Sequence, residues 1–177
     1  MKKDNINTVC HRWLKEQIKP HWIALDATAG NGNDTLFLCC HCHHVYALDI
    51  QKQAETNTLF RCQDFNNLCF YLIGHQFLDH VIHEQLDCAV FNFGYLPGSD
   101  QTCITQPETS VKAVQLAFDK IRSGGILMLS CYLGHDGGQA EHEALLAWIN
   151  SCTNIQWRTY RQSDSKPILY EIKKNTT

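Results

Sequence analysis

Hydrophobic and polar positions along the chain switch between two periods. Short apolar runs, the mark of strands buried on both faces, alternate with longer stretches whose apolar residues recur at helical spacing. The runs predict strands at 22–25, 44–48, 71–73, 87–93, 126–132, 155–160 and 168–173. Helices are predicted at 9–19, from about 34, at 51–61, over part of 76–83, at 106–122 and at 139–151. In the 106–122 stretch Val111, Val114, Leu116, Ala117, Phe118 and Ile121 form one apolar stripe, and Gly124-Gly125 supply its stop. The run at 87–93 is almost continuously apolar, which places it in the middle of a sheet. Strict alternation without internal repeats or a low-complexity linker predicts an α/β, doubly wound, mostly parallel seven-stranded sheet. The last two strands, joined only by a loop, predict a C-terminal antiparallel hairpin.

Composition narrows the class. A chain of 177 residues suits one domain, 1–177, with 1–20 as a helical N-terminal extension. No apolar run reaches the roughly 18 residues of a membrane span, and the opening MKKDNINTVCHRW has lysines without an apolar signal core behind them. A cytoplasmic protein with no membrane partner is expected. Ten cysteines resemble a disulfide framework, yet Cys88 and Cys131 lie inside apolar runs, where reduced thiols act as small hydrophobes. The cluster Cys39-Cys40-His41-Cys42-His43-His44 offers zinc-type ligands at poor spacing, because adjacent residues point in different directions and no paired knuckle follows. No metal is expected. Net charge is −3, but Lys and Arg outnumber acids five to two in residues 1–20 and again in 157–177, against five to fourteen between them. Basic ends near the mouth of a site would form a local surface for RNA phosphates, and solvated termini would give the same counts.

Residues 22–35, WIALDATAGNGNDT, carry the densest information. An apolar strand meets an acid, a turn with Gly30 and Gly32, and a helix start that Asn33 or Asp34 can cap, leaving backbone N–H groups aimed at a ligand. Asp49, nineteen positions after Gly30, ends the next strand where an acid can accept hydrogen bonds from a ribose. Dinucleotide oxidoreductases and S-adenosylmethionine methyltransferases share this layout. The dinucleotide fingerprint wants Gly or Ala three positions after the second glycine, and here that residue is Thr35. S-adenosylmethionine has no pyrophosphate and tolerates a looser turn, and Asp26 is expected to hold its cationic amino group directly or through water. An ordinary strand-turn-helix remains the third reading.

Two further segments fall at carboxyl ends of strands. Asn92-Phe93-Gly94-Tyr95 resembles the Asn-Pro-Pro-Tyr signature of amino-group methyltransferases, with Phe93 and Gly94 in place of the prolines. An Asn oxygen and a nearby backbone carbonyl can accept an amine's two hydrogens and leave its lone pair pointing forward, while Tyr95 or Phe93 can stack on a base. The bland alternative has Asn92 tying down a turn. His135 and Asp136, between Gly134 and Gly137-Gly138, supply a base for the protonated amine or simply a helix entry.

Together these motifs carry a resemblance. Asp26 to Thr35, Asn92-Phe93-Gly94-Tyr95-Leu96-Pro97-Gly98, Pro107-Glu108-Thr109, and Gly134-His135 with Gly137-Gly138 occur in the order found in small bacterial proteins long labelled rRNA methylases and later assigned as tRNA wobble-uridine methyltransferases. The resemblance covers about residues 20 to 174. It implies a Rossmann-like class I methyltransferase fold, S-adenosyl-L-methionine as cofactor, and tRNA, through its anticodon loop, as partner. The implied reaction converts 5-aminomethyl-2-thiouridine at wobble position 34 to the 5-methylaminomethyl form. Candidate catalytic residues are Asn92, Tyr95 and His135. Candidate cofactor contacts are Asp26, Thr28, Gly30, Asn31, Gly32, Asn33, Asp34, Thr35, Asp49, Gln51, His75 and Asn92. Leu133, Asp136 and Gln106 depart from the family's usual residues where RNA would be read. Methylation of rRNA or of a small amine is the enzymatic alternative, and an RNA-binding protein with a vestigial cofactor site the non-enzymatic one. A small catalytic chain gains contact area by pairing, so a homodimer is expected.

Overall fold

The computed structural model describes residues 5–94, 105–164 and 166–176. In chain order the elements are α1 (Ile6–Lys15), β1 (Ile23–Asp26), α2 (Asn33–His41), β2 (His44–Asp49), α3 (Lys52–Arg61), β3 (Leu68–Leu72), a 3₁₀ segment (His75–His80), β4 (Leu86–Phe93), α4 (Pro107–Lys120), β5 (Ile121–Cys131), α5 (Gly138–Ser151), β6 (Ile155–Arg161) and β7 (Ile168–Lys174). The strands form one sheet in the order β3-β2-β1-β4-β5-β7-β6. All pairs are parallel except β5 with β7 and β7 with β6, which make the antiparallel C-terminal end.

Alternation along the central strands divides the core. Leu25, Ala89, Phe91, Leu127 and Leu129 point to one face, where α4, α5 and the 3₁₀ segment cover them. Ala24, Cys88, Val90, Ile126 and Met128 point to the other, with α1 and α2 above them. Cys88 and Cys131 are buried free thiols. On α1 the buried stripe Ile6, Val9, Cys10 and Leu14 seals this second face. Asn5 starts that helix, its Oδ1 accepting from Thr8 N at 2.8 Å, so α1 begins three residues earlier than periodicity alone predicts. No helix among the described residues is long and apolar enough to cross a membrane.

The junction after α4 departs from expectation. Gly124-Gly125 do not end a helix, because the chain passes from Lys120 directly into β5, with Ile121 buried and paired to Leu86. The glycines instead accommodate a register shift between Leu86 and Cys88. A Cβ on Gly125 would stand 2.7 Å from Asp87 O, so only glycine lets the strands approach there. The helix expected within 76–83 is the shorter 3₁₀ segment.

Connections leave β1 toward β2 on one side, whereas β4 lies on its other side, so a crevice opens beyond the carboxyl ends of β1 and β4.

Candidate cofactor and active site

The crevice is a cleft of about 490 Å³ at this switch point. Its floor is the turn from Ala27 to Gly32, held from three directions. Ala27 N donates to Val90 O at 3.0 Å and Ala29 N to Leu48 O at 2.9 Å, so the turn is fastened to both neighbouring strands. Gly30 (φ +55°) and Gly32 (φ +77°) take the left-handed conformation that other residues resist. From outside, α3 presses on the turn: a Cβ on Gly32 would lie 2.8 Å from Thr58 Cα. Arg61 Nε donates to Asn31 O at 2.7 Å, and Asn57 Nδ2 to Asn31 Oδ1 at 2.8 Å. Sequence reading missed Asn57, Thr58 and Arg61, since nothing about a polar helix face says which loop it will meet.

Asp26 takes a different position from the expected one. It is fully buried beneath the turn, does not line the cleft, and spends both oxygens on the loop: Oδ1 accepts from Thr28 N at 3.2 Å and Oδ2 from Thr35 Oγ1 at 2.6 Å. A carboxylate so enclosed braces the turn rather than touching a ligand. Gly32 and Thr35 likewise lie under the cleft wall, while Thr28, Gly30, Asn31, Asn33, Asp34, Asp49, Gln51, His75 and Asn92 line it.

Burial, then the nearby charge of Asp34, pushes the Asp26 carboxyl up to about 7, against hydrogen bonds from Thr35 and Thr28 that lower it. Its folded-state value therefore exceeds the ordinary 3.8, so the protonated form supports the fold at low pH and that support is lost as pH rises through about 7. Urea denaturation between about pH 4 and 7 should show stability falling with pH, and Asp26→Asn should flatten that fall. An equal slope in the variant would clear Asp26 of responsibility.

Asp49 ends β2 with both oxygens already engaged, Oδ2 by Gly30 N at 3.0 Å and Oδ1 by Gln51 N at 2.9 Å. Each oxygen keeps a second lone pair, and the side chain lines the cleft, so it can accept from two vicinal hydroxyls. Ile50 beside it is 59% exposed and gives the cleft an apolar lip. His75 is buried against Phe91 and Phe93, and burial lowers its pKa to about 4, so a neutral ring faces the cleft.

Asn92 stands at the other end. Its backbone N donates to Thr28 Oγ1 at 2.7 Å and its Nδ2 to Asp34 Oδ2 at 2.5 Å. Asp34 Oδ1 in turn meets His11 Nε2 at 2.5 Å, so a helix far away in sequence supports the side chain. A carboxylate can only accept, which fixes the amide's orientation and leaves Asn92 Oδ1 to the cleft. The adjacent Phe93 carbonyl receives one long bond, 3.4 Å from Tyr132 N. Asn7 and Tyr132, which no sequence motif marks, complete this end, with Tyr132 OH donating to Asn7 Oδ1 at 3.3 Å.

Just past it the chain is drawn into a neck. Gly94 N donates to Thr105 Oγ1 at 2.9 Å and Thr105 N to Gly94 O at 3.0 Å. The Thr105 hydroxyl donates to Glu141 Oε2 at 2.9 Å, and Ser110 Oγ donates to Glu141 Oε1 at 2.5 Å. Glu141 is buried, and burial raises its pKa while those two hydroxyls and the charge of His135 lower it. Tyr95, with Leu96 to Gly98, lies outside the described residues. His135 is not among the residues that line the cleft: it stands behind Gly94, where a Cβ would be 3.7 Å from its Nε2, and its Nδ1 meets Asp136 O at 2.9 Å. The loop's glycines turn the ring toward α5, against the expectation that His135 faces the reacting amine.

The lining decides between the two nucleotides. It contains the carboxylates of Asp34 and Asp49 and, among the described residues, no lysine or arginine. A pyrophosphate would meet negative charge here, whereas a sulfonium with an ammonium group finds complementary charge. Among the described residues, no group of three or more His, Cys, Asp or Glu side chains is arranged to hold a metal.

Comparison with known proteins agrees with that reading. A family model described as "Putative rRNA methylase" matches residues 45–170. A chloroplastic tRNA (mnm(5)s(2)U34)-methyltransferase of Arabidopsis thaliana is 32% identical over 170 residues, covering 84% of this chain; the chain spans 60% of that relative's length. The crystal structure of a putative rRNA-methylase from Clostridium thermocellum superposes with a TM-score of 0.90 at 32% identity, over 98% of this chain and 100% of that one. A putative methyltransferase from Streptococcus mutans in complex with SAH gives 0.89 at 32% identity, over 98% and 99%. With both the sequence and the cleft pointing the same way, the chain belongs to the family described as "Putative rRNA methylase", and with it to the class I S-adenosylmethionine-dependent methyltransferases.

Proposed function

We propose that this chain transfers a methyl group to the primary amine of 5-aminomethyl-2-thiouridine at wobble position 34 of tRNA, giving the 5-methylaminomethyl nucleoside. The orientation of Asn92 carries this reading: with Nδ2 committed to Asp34, the Oδ1 acceptor is presented to the cleft. An amine needs acceptors for its two hydrogens before its lone pair can point at an electrophile, and Asn92 Oδ1 with the Phe93 carbonyl supplies such a pair. An oxygen nucleophile with one hydrogen would need only one of them. The relative in Arabidopsis thaliana bears the matching name.

S-adenosylmethionine, when bound, supplies a methyl group on a sulfonium that an uncharged amine can attack. Asp49 would accept from the ribose hydroxyls, the Thr28 to Asn31 turn and Asn33 would hold the methionine portion, Gln51 and Ile50 would bound the base, and neutral His75 would close the inner wall, all of them residues that line the cleft. The amine enters protonated at neutral pH and would lose its proton to solvent at the mouth, since His135 packs behind Gly94 rather than lining the cleft. The new nitrogen–carbon bond forms as the sulfur–carbon bond breaks, and the second amine proton leaves afterwards.

The test is incubation with labelled S-adenosylmethionine and three RNAs: tRNA bearing the 5-aminomethyl group, the same tRNA without it, and ribosomal RNA. Label should enter the first alone. Equal labelling of both tRNAs, or label only in ribosomal RNA, would overturn the substrate assignment, the latter in favour of the substrate that the family description names.

A further inference from the structure

Two helices carry the edge of the cleft outward. On α1, Asn7 lines the cleft, His11 one turn later meets Asp34, and Lys15 follows a turn beyond. On α2, Asp34 lines the cleft, with Phe37 and then His41 at the next turns. These stripes lie against each other. The His11 ring stacks on Phe37 with centroids 4.2 Å apart and planes 11° apart, and Phe37 meets His41 at 4.5 Å and 30°. Alongside runs a shallow groove of about 310 Å³ lined by His11, Arg12, Lys15, Glu16 and Phe37.

The groove's charge is uneven. Arg12 and Lys15 stand exposed on its rim, and its one acid, Glu16, lies 3.8 Å from Arg158, whose guanidinium sits 4.0 Å from the centroid of the Trp13 ring. Lys19 is exposed just beyond α1. Between the two basic ends, by contrast, acids outnumber Lys and Arg fourteen to five. A cationic, aromatic-sided groove is the chemistry that takes an unpaired base and its phosphates, because every base has a face that stacks and every linkage carries a negative charge. An apolar peptide would gain nothing from the two cations.

We propose that this α1–α2 face binds the substrate RNA beside the methylated nucleotide, with a neighbouring base against the His11 ring, which Phe37 backs at 4.2 Å, and its phosphates on Arg12 and Lys15. The assignment rests on an RNA substrate, as argued above, and adds where the rest of that RNA lies. Proximity supports it: His11, which lines the groove, meets Asp34, which lines the cleft, at 2.5 Å, so the two are separated by one side-chain contact.

Binding is read by fluorescence anisotropy of an anticodon stem-loop carrying the 5-aminomethyl group, using the full chain saturated with S-adenosylhomocysteine. Phe37→Ala removes the ring that backs His11 and should weaken binding roughly 5-fold or more, the lower end of what a lost base–aromatic stack costs. Phe37→Leu keeps an apolar side chain between the helices and should still weaken binding several-fold. Arg12→Ala with Lys15→Ala should reduce the salt dependence of log Kd by about 1.4, since each single-strand phosphate contact accounts for about 0.7. Lys173→Ala, on β7 at the end of the sheet away from the cleft, should change neither quantity. S-adenosylhomocysteine affinity should stay at the wild-type value throughout. Wild-type binding with all the α1–α2 variants within two-fold of it would overturn this proposal and leave the methyl-transfer reading standing. A wild-type chain that neither binds nor methylates any RNA would overturn both. Variants that lose affinity for phosphatidylserine vesicles yet keep RNA binding would assign the face to a membrane and overturn the proposal as well.

Discussion

Asn92→Ala is expected to lower kcat by about 10²- to 10³-fold while S-adenosylhomocysteine affinity stays within a few-fold of wild type. The asymmetry follows from what each neighbour does. Thr28 is held from the backbone N of Asn92, which the substitution leaves in place, so the turn that lines the cofactor end keeps its anchor. What disappears is the side-chain oxygen proposed to face the amine, which matters only while the lone pair is being aligned, together with the Nδ2 bond to Asp34. Single-turnover methylation with calorimetric titration of S-adenosylhomocysteine separates the two effects, and equal losses in both would make Asn92 part of the cofactor wall instead. Asn92→Asp is the sharper companion. It sets a second carboxylate where Nδ2 now meets Asp34 at 2.5 Å, and two carboxylates that close cannot both be charged. The variant should be at least as impaired as alanine near neutral pH, despite differing from the native residue by one atom.

Asp49→Ala should raise the Kd for S-adenosylhomocysteine by about 10²- to 10⁴-fold, because hydrogen bonds to a charged group are each worth about 1.5–3 kcal/mol and the proposed cofactor placement gives Asp49 two hydroxyls to hold. A second loss comes from the loop, since Gly30 N and Gln51 N would both lose their acceptor. Asp49→Asn keeps one acceptor oxygen and exchanges the other for a donor, so it should fall between wild type and alanine. An unchanged Kd in the alanine variant, with a lowered Tm, would mean that Asp49 only braces the turn.

Most of the sheet was legible because its signal is local. Most strand cores were marked by a short apolar run, although β3 runs from Leu68 to Leu72 where a strand at 71–73 was expected, and the order of motifs, the glycine turn and Asp49 all sit within single strand-turn-helix units. Boundaries moved where side chains decide them from a distance. Gly124-Gly125 read as a helix stop, yet the pairing of Ile121 with Leu86 captures those residues for β5, and that partner is invisible in the local pattern. The lining of the cleft was mostly legible for the same reason as the strands. Asp26 was misread because its type suits a cationic ligand, and only the packing above it shows that Thr28 and Thr35 have claimed both oxygens. The reacting end was half legible. Asn92 belongs to a motif, but its orientation depends on Asp34, 58 residues earlier, and that of Asp34 on His11, 23 residues earlier still. A polar residue on an amphipathic N-terminal helix carries no local sign that it will reach the centre of the molecule.

The neck at Gly94 and Thr105 has a mechanical corollary. The two residues that bound the intervening stretch hold each other through a reciprocal pair of bonds, secured by Glu141 on α5. Both ends of the intervening stretch are therefore fixed by bonds between described residues, independently of Asn92 on β4. The clasp thus joins the end of β4, two residues past Asn92, to the residue before Gln106 at the start of α4. Strain arising at one end of the chain between them is absorbed at the clasp before it reaches the sheet, so the position of Asn92 and the stability of β4 are uncoupled from it.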